Sequence, residues 1–215
     1  MASTQRVIAL GFVHPRVIII AIRGTASLYD VLYDIDVGQA NLHRIHACLI
    51  LHQGFYSAIY ELCAKLSLEL LKYIPSHPTV YVTGHSLGGA MAAILHGLWE
   101  DLLPQITKKR VQSLCAYTYG MPRYGNEIAI DTLRVPYPIY NPYDPVPYLP
   151  PRRWGFWDHF VEFAADTLKD TKRPASKEVP WSRIISLRRN HMIESYRKKI
   201  HAIVDPNPTS SQPKS

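Results

Sequence analysis

The chain has 215 residues, 47% of them hydrophobic and 19% charged, with a formal net charge of +7. That size and balance read as one globular domain able to bury about 70% of its unfolded surface, and they exclude a disordered polymer. No apolar run reaches the ~20 residues of a membrane-crossing helix, and the cations form no nucleic-acid motif, so a membrane span and a nucleic-acid partner are both excluded.

Residues 6–12 and 16–22 read as two apolar strands joined by a turn at His14 and Pro15. The second is almost continuous Val and Ile, the pattern of a strand buried on both faces. It ends in Arg23-Gly24-Thr25, a hydroxyl at the strand's C-terminal edge, where open α/β sheets bind ligands. Residues 26–37 place Leu28, Val31, Leu32 and Ile35 at helical spacing and predict a short amphipathic helix, either fixed on the core or a movable cover. A long helix follows over 54–74, with Phe55, Ile59, Leu62, Leu66, Leu70 and Leu71 on one stripe and Pro75 closing it.

The centre of the chain is Thr79-Val80-Tyr81-Val82-Thr83-Gly84-His85-Ser86-Leu87-Gly88-Gly89. A β-branched run leads into Gly84-x-Ser86-x-Gly88, and Ala90, Met91, Ile94, Leu95 and Leu98 then recur at helical spacing up to Pro104. A serine on a tight strand-to-helix turn needs small neighbours, and its hydroxyl is presented over a helix N-terminus that favours developing negative charge. The alternative is an exposed serine on a glycine-rich turn; the strand before and the helix after favour a nucleophile. His85 beside it reads as a packing residue pointing away from the hydroxyl.

Residues 114–119 predict a strand, 126–133 a short helix and 136–140 a further strand that opens into the proline-dense loop Asn141-Pro142-Tyr143-Asp144-Pro145-Val146-Pro147. Residues 154–163 and 181–187 read as two more strands separated by a polar linker, and 191–204 as a closing helix. Alternating strands and helices without internal repeats give an α/β domain over residues 1–204, and 205–215 reads as a disordered tail. Between residues 150 and 200, twelve Lys and Arg stand against six Asp and Glu. This excess is either a solvated basic face or a peripheral contact with an anionic membrane surface. Three cysteines without metal-ligand spacing read as small buried hydrophobes. The run after Arg6 is broken by His14-Pro15-Arg16 and lacks a small-x-small cleavage site, so it reads as a hairpin and not a leader. The expectation is an intracellular, cytoplasmic protein.

These pieces together resemble the class 3 lipases, the fungal-lipase-like α/β-hydrolases. The resemblance is carried by Arg23-Gly24-Thr25 with Asp30 and Asp34, His52-Gln53-Gly54-Phe55, Gly84-His85-Ser86-Leu87-Gly88-Gly89, Gly120-x-Pro122-Arg123-x-Gly125-Asn126 and Asp144-Pro145-Val146-Pro147-x-Leu149-Pro150. It implies a central, mostly parallel sheet flanked by helices. The N-terminus is shortened relative to the family, either a minimal version or a chain lacking its N-terminal part. It also implies a triad of Ser86 as nucleophile, Asp144 as orienting acid and a histidine base. His191 is the choice, downstream of Asp144 at the start of the last helix, with His159 as its rival. The family's tyrosine three residues past this histidine is absent here, and Tyr196 lies five past it.

By the same resemblance the oxyanion hole takes the N–H groups of Thr25 and Leu87 with the Thr25 hydroxyl. Asp34 supports that hydroxyl or is a plain surface aspartate, and Leu28, Val31 and Leu32 are the lid candidates. The expected activity is a serine carboxylic-ester hydrolase, a lipase acting on acylglycerol or related lipid esters at a lipid–water interface, with neither metal nor organic cofactor. A phospholipase or non-lipid esterase is the nearest alternative. A catalytically silent scaffold that binds a lipid or protein partner is the alternative from another class.

Overall fold

The β-branched run 17–22 becomes the sheet's organising strand. In a computed structural model of the chain, which describes residues 2–3, 8–14, 16–24, 38–42, 48–73, 78–103, 111–171 and 187–205, β1 (Ala2–Ser3), β2 (Ile8–His14) and β3 (Val17–Ile22) pair antiparallel. From β3 the sheet turns parallel through β6 (Thr79–His85), β7 (Ser113–Tyr119), β8 (Tyr137–Tyr140) and β9 (Glu162–Ala164). It closes antiparallel on β10 (Asp170–Thr171), giving the order β1-β2-β3-β6-β7-β8-β9-β10. A separate two-stranded ribbon of β4 (Gln39–Asn41) and β5 (Ile50–His52) was not legible in the sequence, because each strand has only three residues.

Ile18, Ile20, Ile22, Val80, Val82 and Ala116 point to one face and pack beneath α1 (Gln53–Tyr73) and α2 (Leu87–Gly97). The second face is only half-buried at Val17, Ile19 and Ala21, so β3 is not sunk equally on both sides as its composition suggests. There the rings of Tyr81, Tyr117, Tyr137 and Phe163 cross four parallel strands in a row, with centroids 5.0–6.3 Å apart. Towards the strands' C-terminal ends that face is covered by α6 (Ile193–Val204), whose Tyr196 packs with Ile139 and Ala165. Two shorter helices, α3 (Trp99–Leu102) and α4 (Glu127–Thr132), continue α2 and precede β8. The mostly parallel sheet flanked by helices matches the expected fold class.

Two expected elements are corrected. The strand over 154–163 is a 3-10 turn (Arg152–Trp154) followed by a loop, and only Glu162–Ala164 pairs in the sheet. Gly155 there has φ 87°, and Asp158 is gripped at 2.6 Å by both Arg123 and Arg152, so the backbone follows the buried ion pairs and not the apolar alternation. The closing helix is two pieces, α5 (Leu187–His191) and α6, separated by Met192 at φ −59° and ψ 138°. The amphipathic segment 26–37 lies outside the described residues, as do 181–186 of the strand expected over 181–187, whose Leu187 instead opens α5, and 206–215 of the tail expected over 205–215, whose Asp205 is the C-cap of α6. Among the described residues no helix is long and apolar enough to cross a membrane.

The core also holds an ionisable group. His96 on α2 is 2% exposed, with Nε2 3.4 Å from the Leu114 carbonyl, and burial, then the Arg134 charge, pull its pKa down to about 4. A histidine free in the unfolded chain titrates near 6.5, so between roughly pH 6.5 and 4 the unfolded state binds the additional proton. The stabilisation is therefore complete above that window and lost as pH falls through it. Urea midpoints should decline from pH 7 to pH 4, and His96→Gln, which cannot titrate, should make the decline shallower; an unchanged slope would remove His96 from the acid response.

Candidate active site

Three loops leave the C-terminal ends of β6, β7 and β8 side by side, which is where a parallel sheet gathers functional groups. After β6 the chain reverses at Ser86 with φ 59° and ψ −131°, a left-handed value uncommon for a residue with a side chain. The turn closes only because its neighbours lack Cβ atoms. A methyl on Gly84 would lie 2.1 Å from the Gly88 carbonyl oxygen, and one on Gly88 would lie 2.2 Å from that of Ile22. The Ser86 N–H donates to the Tyr119 carbonyl at 2.9 Å, which fixes the turn to the end of β7. Leu87 opens α2, so its N–H is among the donors that a helix start leaves without a partner in its own ladder.

After β8, Asp144 is fully buried in the proline loop. Its Oδ1 accepts the Val146 N–H at 2.9 Å, and its Oδ2 accepts from His191 Nδ1 at 2.8 Å and from the Tyr196 hydroxyl at 2.6 Å. With Nδ1–H committed to the carboxylate, His191 Nε2 is the acceptor for the Ser86 hydroxyl, 2.8 Å away. Ser86 and His191 are also buried, at 2% and 4% exposure. These donors fill both carboxylate oxygens, and the bond to Nδ1–H fixes the imidazole tautomer whose Nε2 accepts a proton.

The structure thus brings together Ser86, His191 and Asp144. His159 is in none of these bonds; it is buried in the loop after Asp158, beside the Tyr124 ring. Thr25, Asp34 and the lid candidates Leu28, Val31 and Leu32 lie outside the described residues. Gly24, the last described residue before them, lies against the serine turn, its Cβ position 3.2 Å from the Gly88 nitrogen. Among the described residues no group of three His, Cys, Asp or Glu side chains is arranged to hold a metal ion.

Sequence reasoning missed three participants. Tyr196 reaches Asp144 although it is displaced along the chain, because the backbone leaves the helix at Met192 and re-enters it at Ile193. Gly120, with φ 54°, lets both approach: a Cβ there would sit 2.8 Å from Asp144 Oδ2 and from the Tyr196 hydroxyl. His85 is more than packing, since its Nε2–H donates to the His191 carbonyl at 2.5 Å while the two rings lie 4.6 Å apart.

A strained serine between β6 and α2, with acid and histidine supplied from later loops in the order Ser, Asp, His, defines an α/β-hydrolase-type site. Residues 19–154 match the model of the family described as Lipase (class 3), and the chain belongs to that family. It is 30% identical over 156 residues to the secreted mono- and diacylglycerol lipase 1 of Fusarium solani, covering 69% of this chain and 44% of the relative. The chain therefore spans less than half the length of that relative. Its fold is like that of the lipase of Rhizopus microsporus var. chinensis, with a TM-score of 0.62 at 24% identity over 82% of this chain and 69% of the other. A triacylglycerol lipase whose catalytic centre is described as a serine protease triad matches at TM-score 0.53 and 29% identity, over 69% of this chain and 57% of its own.

The cytoplasmic expectation is corrected by these findings, since the Fusarium relative is a secreted protein by its name. The cysteines carried no information on this point: Cys48, Cys63 and Cys115 are all free, a state compatible with either side of a membrane.

Removing the hydroxyl in Tyr196→Phe takes one of three donors from a buried carboxylate. A hydrogen bond to a charged group is worth about 1.5–3 kcal/mol, so the thermal midpoint should fall and the reactivity of Ser86 towards a fluorophosphonate should drop by roughly tenfold or more. Wild-type labelling in that variant would show that the Asp144–His191 pair is held without Tyr196.

Proposed function

We propose that this chain is a lipase that works as a serine carboxylic-ester hydrolase and cleaves acylglycerol or related lipid esters through an acyl-serine intermediate. The observation that carries the reading is the unbroken chain of hydrogen bonds from Asp144 through His191 to Ser86. The names of its relatives, a mono- and diacylglycerol lipase and a triacylglycerol lipase, support the substrate class. The relative named as secreted supports an activity outside the cytosol.

Ser86 Oγ attacks the ester carbonyl carbon as its proton passes to His191 Nε2, and the carbonyl π pair moves to oxygen. The oxyanion is received by the Leu87 N–H and, by resemblance to the family, by the Thr25 N–H and hydroxyl. Each such donor is worth about 3 kcal/mol in the transition state. Asp144 holds the imidazolium that forms. Collapse expels the alcohol, which takes the proton from Nε2 and leaves acyl-Ser86. Water then attacks the acyl carbon as it gives its proton to His191, and on collapse the bond from that carbon to Oγ breaks, Nε2 returns the proton to Ser86 Oγ, and the carboxylic acid departs. By the same resemblance Asp34 supports the Thr25 hydroxyl, and Leu28, Val31 and Leu32 serve as a lid.

A fluorophosphonate should label wild-type protein at Ser86 and leave Ser86→Ala unlabelled. His191→Ala should lose ester turnover by a factor of roughly 10⁴ or more, while His159→Ala keeps most of it. The reverse order for the two histidines would move the base to residue 159. Comparing emulsified long-chain glycerides, phospholipid vesicles and a soluble short-chain ester separates lipase, phospholipase and simple esterase.

A further inference from the structure

The helix that delivers the base is unusually poorly supported by its own ladder. Helix α5 has five residues, Leu187–His191, and stops at once, because Met192 leaves the helical region. The last carbonyls of such a helix have no partners in the helix itself, and one turn has little stability alone. Two of these carbonyls are met by side chains from elsewhere. Asn141 Nδ2 donates to the Asn190 carbonyl at 3.0 Å, and His85 Nε2 donates to the His191 carbonyl at 2.5 Å.

The origins of these two donors matter. His85 ends β6 and immediately precedes Ser86; Asn141 follows β8 and stands in the loop of Asp144. The peptide units around the base are therefore tied to the same two loops that carry its side-chain partners. Asn141 is fully buried, and its other groups build the acid loop: its carbonyl accepts the Asp144 N–H at 2.9 Å, and its Oδ1 accepts from the Tyr143 N–H at 3.2 Å and Lys199 Nζ at 2.8 Å. Its N–H donates to the Tyr196 hydroxyl at 3.0 Å. Only its Nδ2 is turned to the base.

We propose that His85 and Asn141 are positioning residues for the reaction, clamping the His191 backbone so that its ring stays in register with Ser86 and Asp144. This rests on the serine-hydrolase reading of the site. The need is greatest after acylation. Ser86 Oγ is then esterified and no longer gives a proton to Nε2, so the ring keeps its Asp144 bond alone until water arrives. Anchors on the backbone do not change as the reacting atoms change. His85 suits the task because burial, then the adjacent His191 ring, push it down to about 4. It stays neutral while His191 cycles through its cation 4.6 Å away, and a carbonyl acceptor fixes the proton on Nε2.

The test compares His85→Phe, which keeps a ring but no N–H, with His85→Gln, which restores a donor. In His85→Phe, fluorophosphonate labelling of Ser86 and kcat on a soluble p-nitrophenyl ester should fall roughly 10–100-fold, with KM within about twofold, as expected for a base misplaced by up to an ångström. His85→Gln should recover most of that loss. In a His191→Ala background the same His85→Phe change should have no further effect on residual turnover, which a merely structural role would not produce. Asn141→Asp keeps the Oδ1 acceptor and replaces the donor by an oxygen; it should lose kcat on the same scale with KM held. Wild-type labelling by His85→Phe, or an equal loss with His191 absent, overturns the clamp. Failure of the wild-type protein to label at Ser86 would instead overturn the hydrolase reading.

Discussion

A carboxylate with no solvent around it governs the architecture at the sheet's edge. Asp144 is fully buried, and an ionised carboxyl in that position costs several kcal/mol unless its oxygens are filled with donors. The Val146 N–H, the His191 ring and the Tyr196 hydroxyl fill them, and each arrives from a different piece of chain. Helix α6 must cross the open face of β7–β9 to deliver Tyr196, α5 must end beside β6 to deliver His191, and residue 120 must lack a side chain to make room. Satisfying one charge thus fixes the placement of the whole C-terminal part of the described chain.

The nucleophile turn imposes the opposite kind of constraint, steric and not electrostatic. Ser86 is held at a positive φ by the packing of α2 against the ends of β3 and β6, with Gly84 and Gly88 in near contact. The strain is local, and the support is distributed over the core under α1 and α2, where Val80, Val82, Ala90, Ala93 and Ile94 are fully buried. That core places the hydroxyl; the buried charge places the base. The two meet at the 2.8 Å bond between Ser86 and His191.

A third system steadies the acid loop from outside. Arg123, from the Gly120–Asn126 stretch, donates to the Tyr148 and Pro150 carbonyls and shares Asp158 with Arg152. Asn126 from the same stretch caps α4 through its side chain and donates to the Cys48 carbonyl. The motif residues that resemble the family without touching the triad are therefore brackets between loops. Asp158 is 8% exposed and carries two guanidinium partners, so it ties the segment after Pro150 to the Gly120–Asn126 stretch, whose Arg123 in turn holds the end of the acid loop.

The sequence by itself determined β6, α1 and α2, because apolar spacing within one element reports the face it buries; it marked β3 as a strand by its β-branched run, but not which face that strand buries. It also singled out Ser86, since a strand, a small-residue turn and a helix are contiguous in the chain, and Asp144 and His191 through resemblance to a family. Only the tertiary structure decided which histidine stands beside the serine, because that depends on where α5 stops and on which carbonyls its end leaves open. It likewise decided that Tyr196, five residues past His191, donates to Asp144, and that residues 154–161 coil around Asp158 where their alternation suggested a strand. A contact between residues 47 to 106 positions apart, such as Asp144–His191 or His85–His191, leaves no periodic trace in the chain, and folding alone brings its members together.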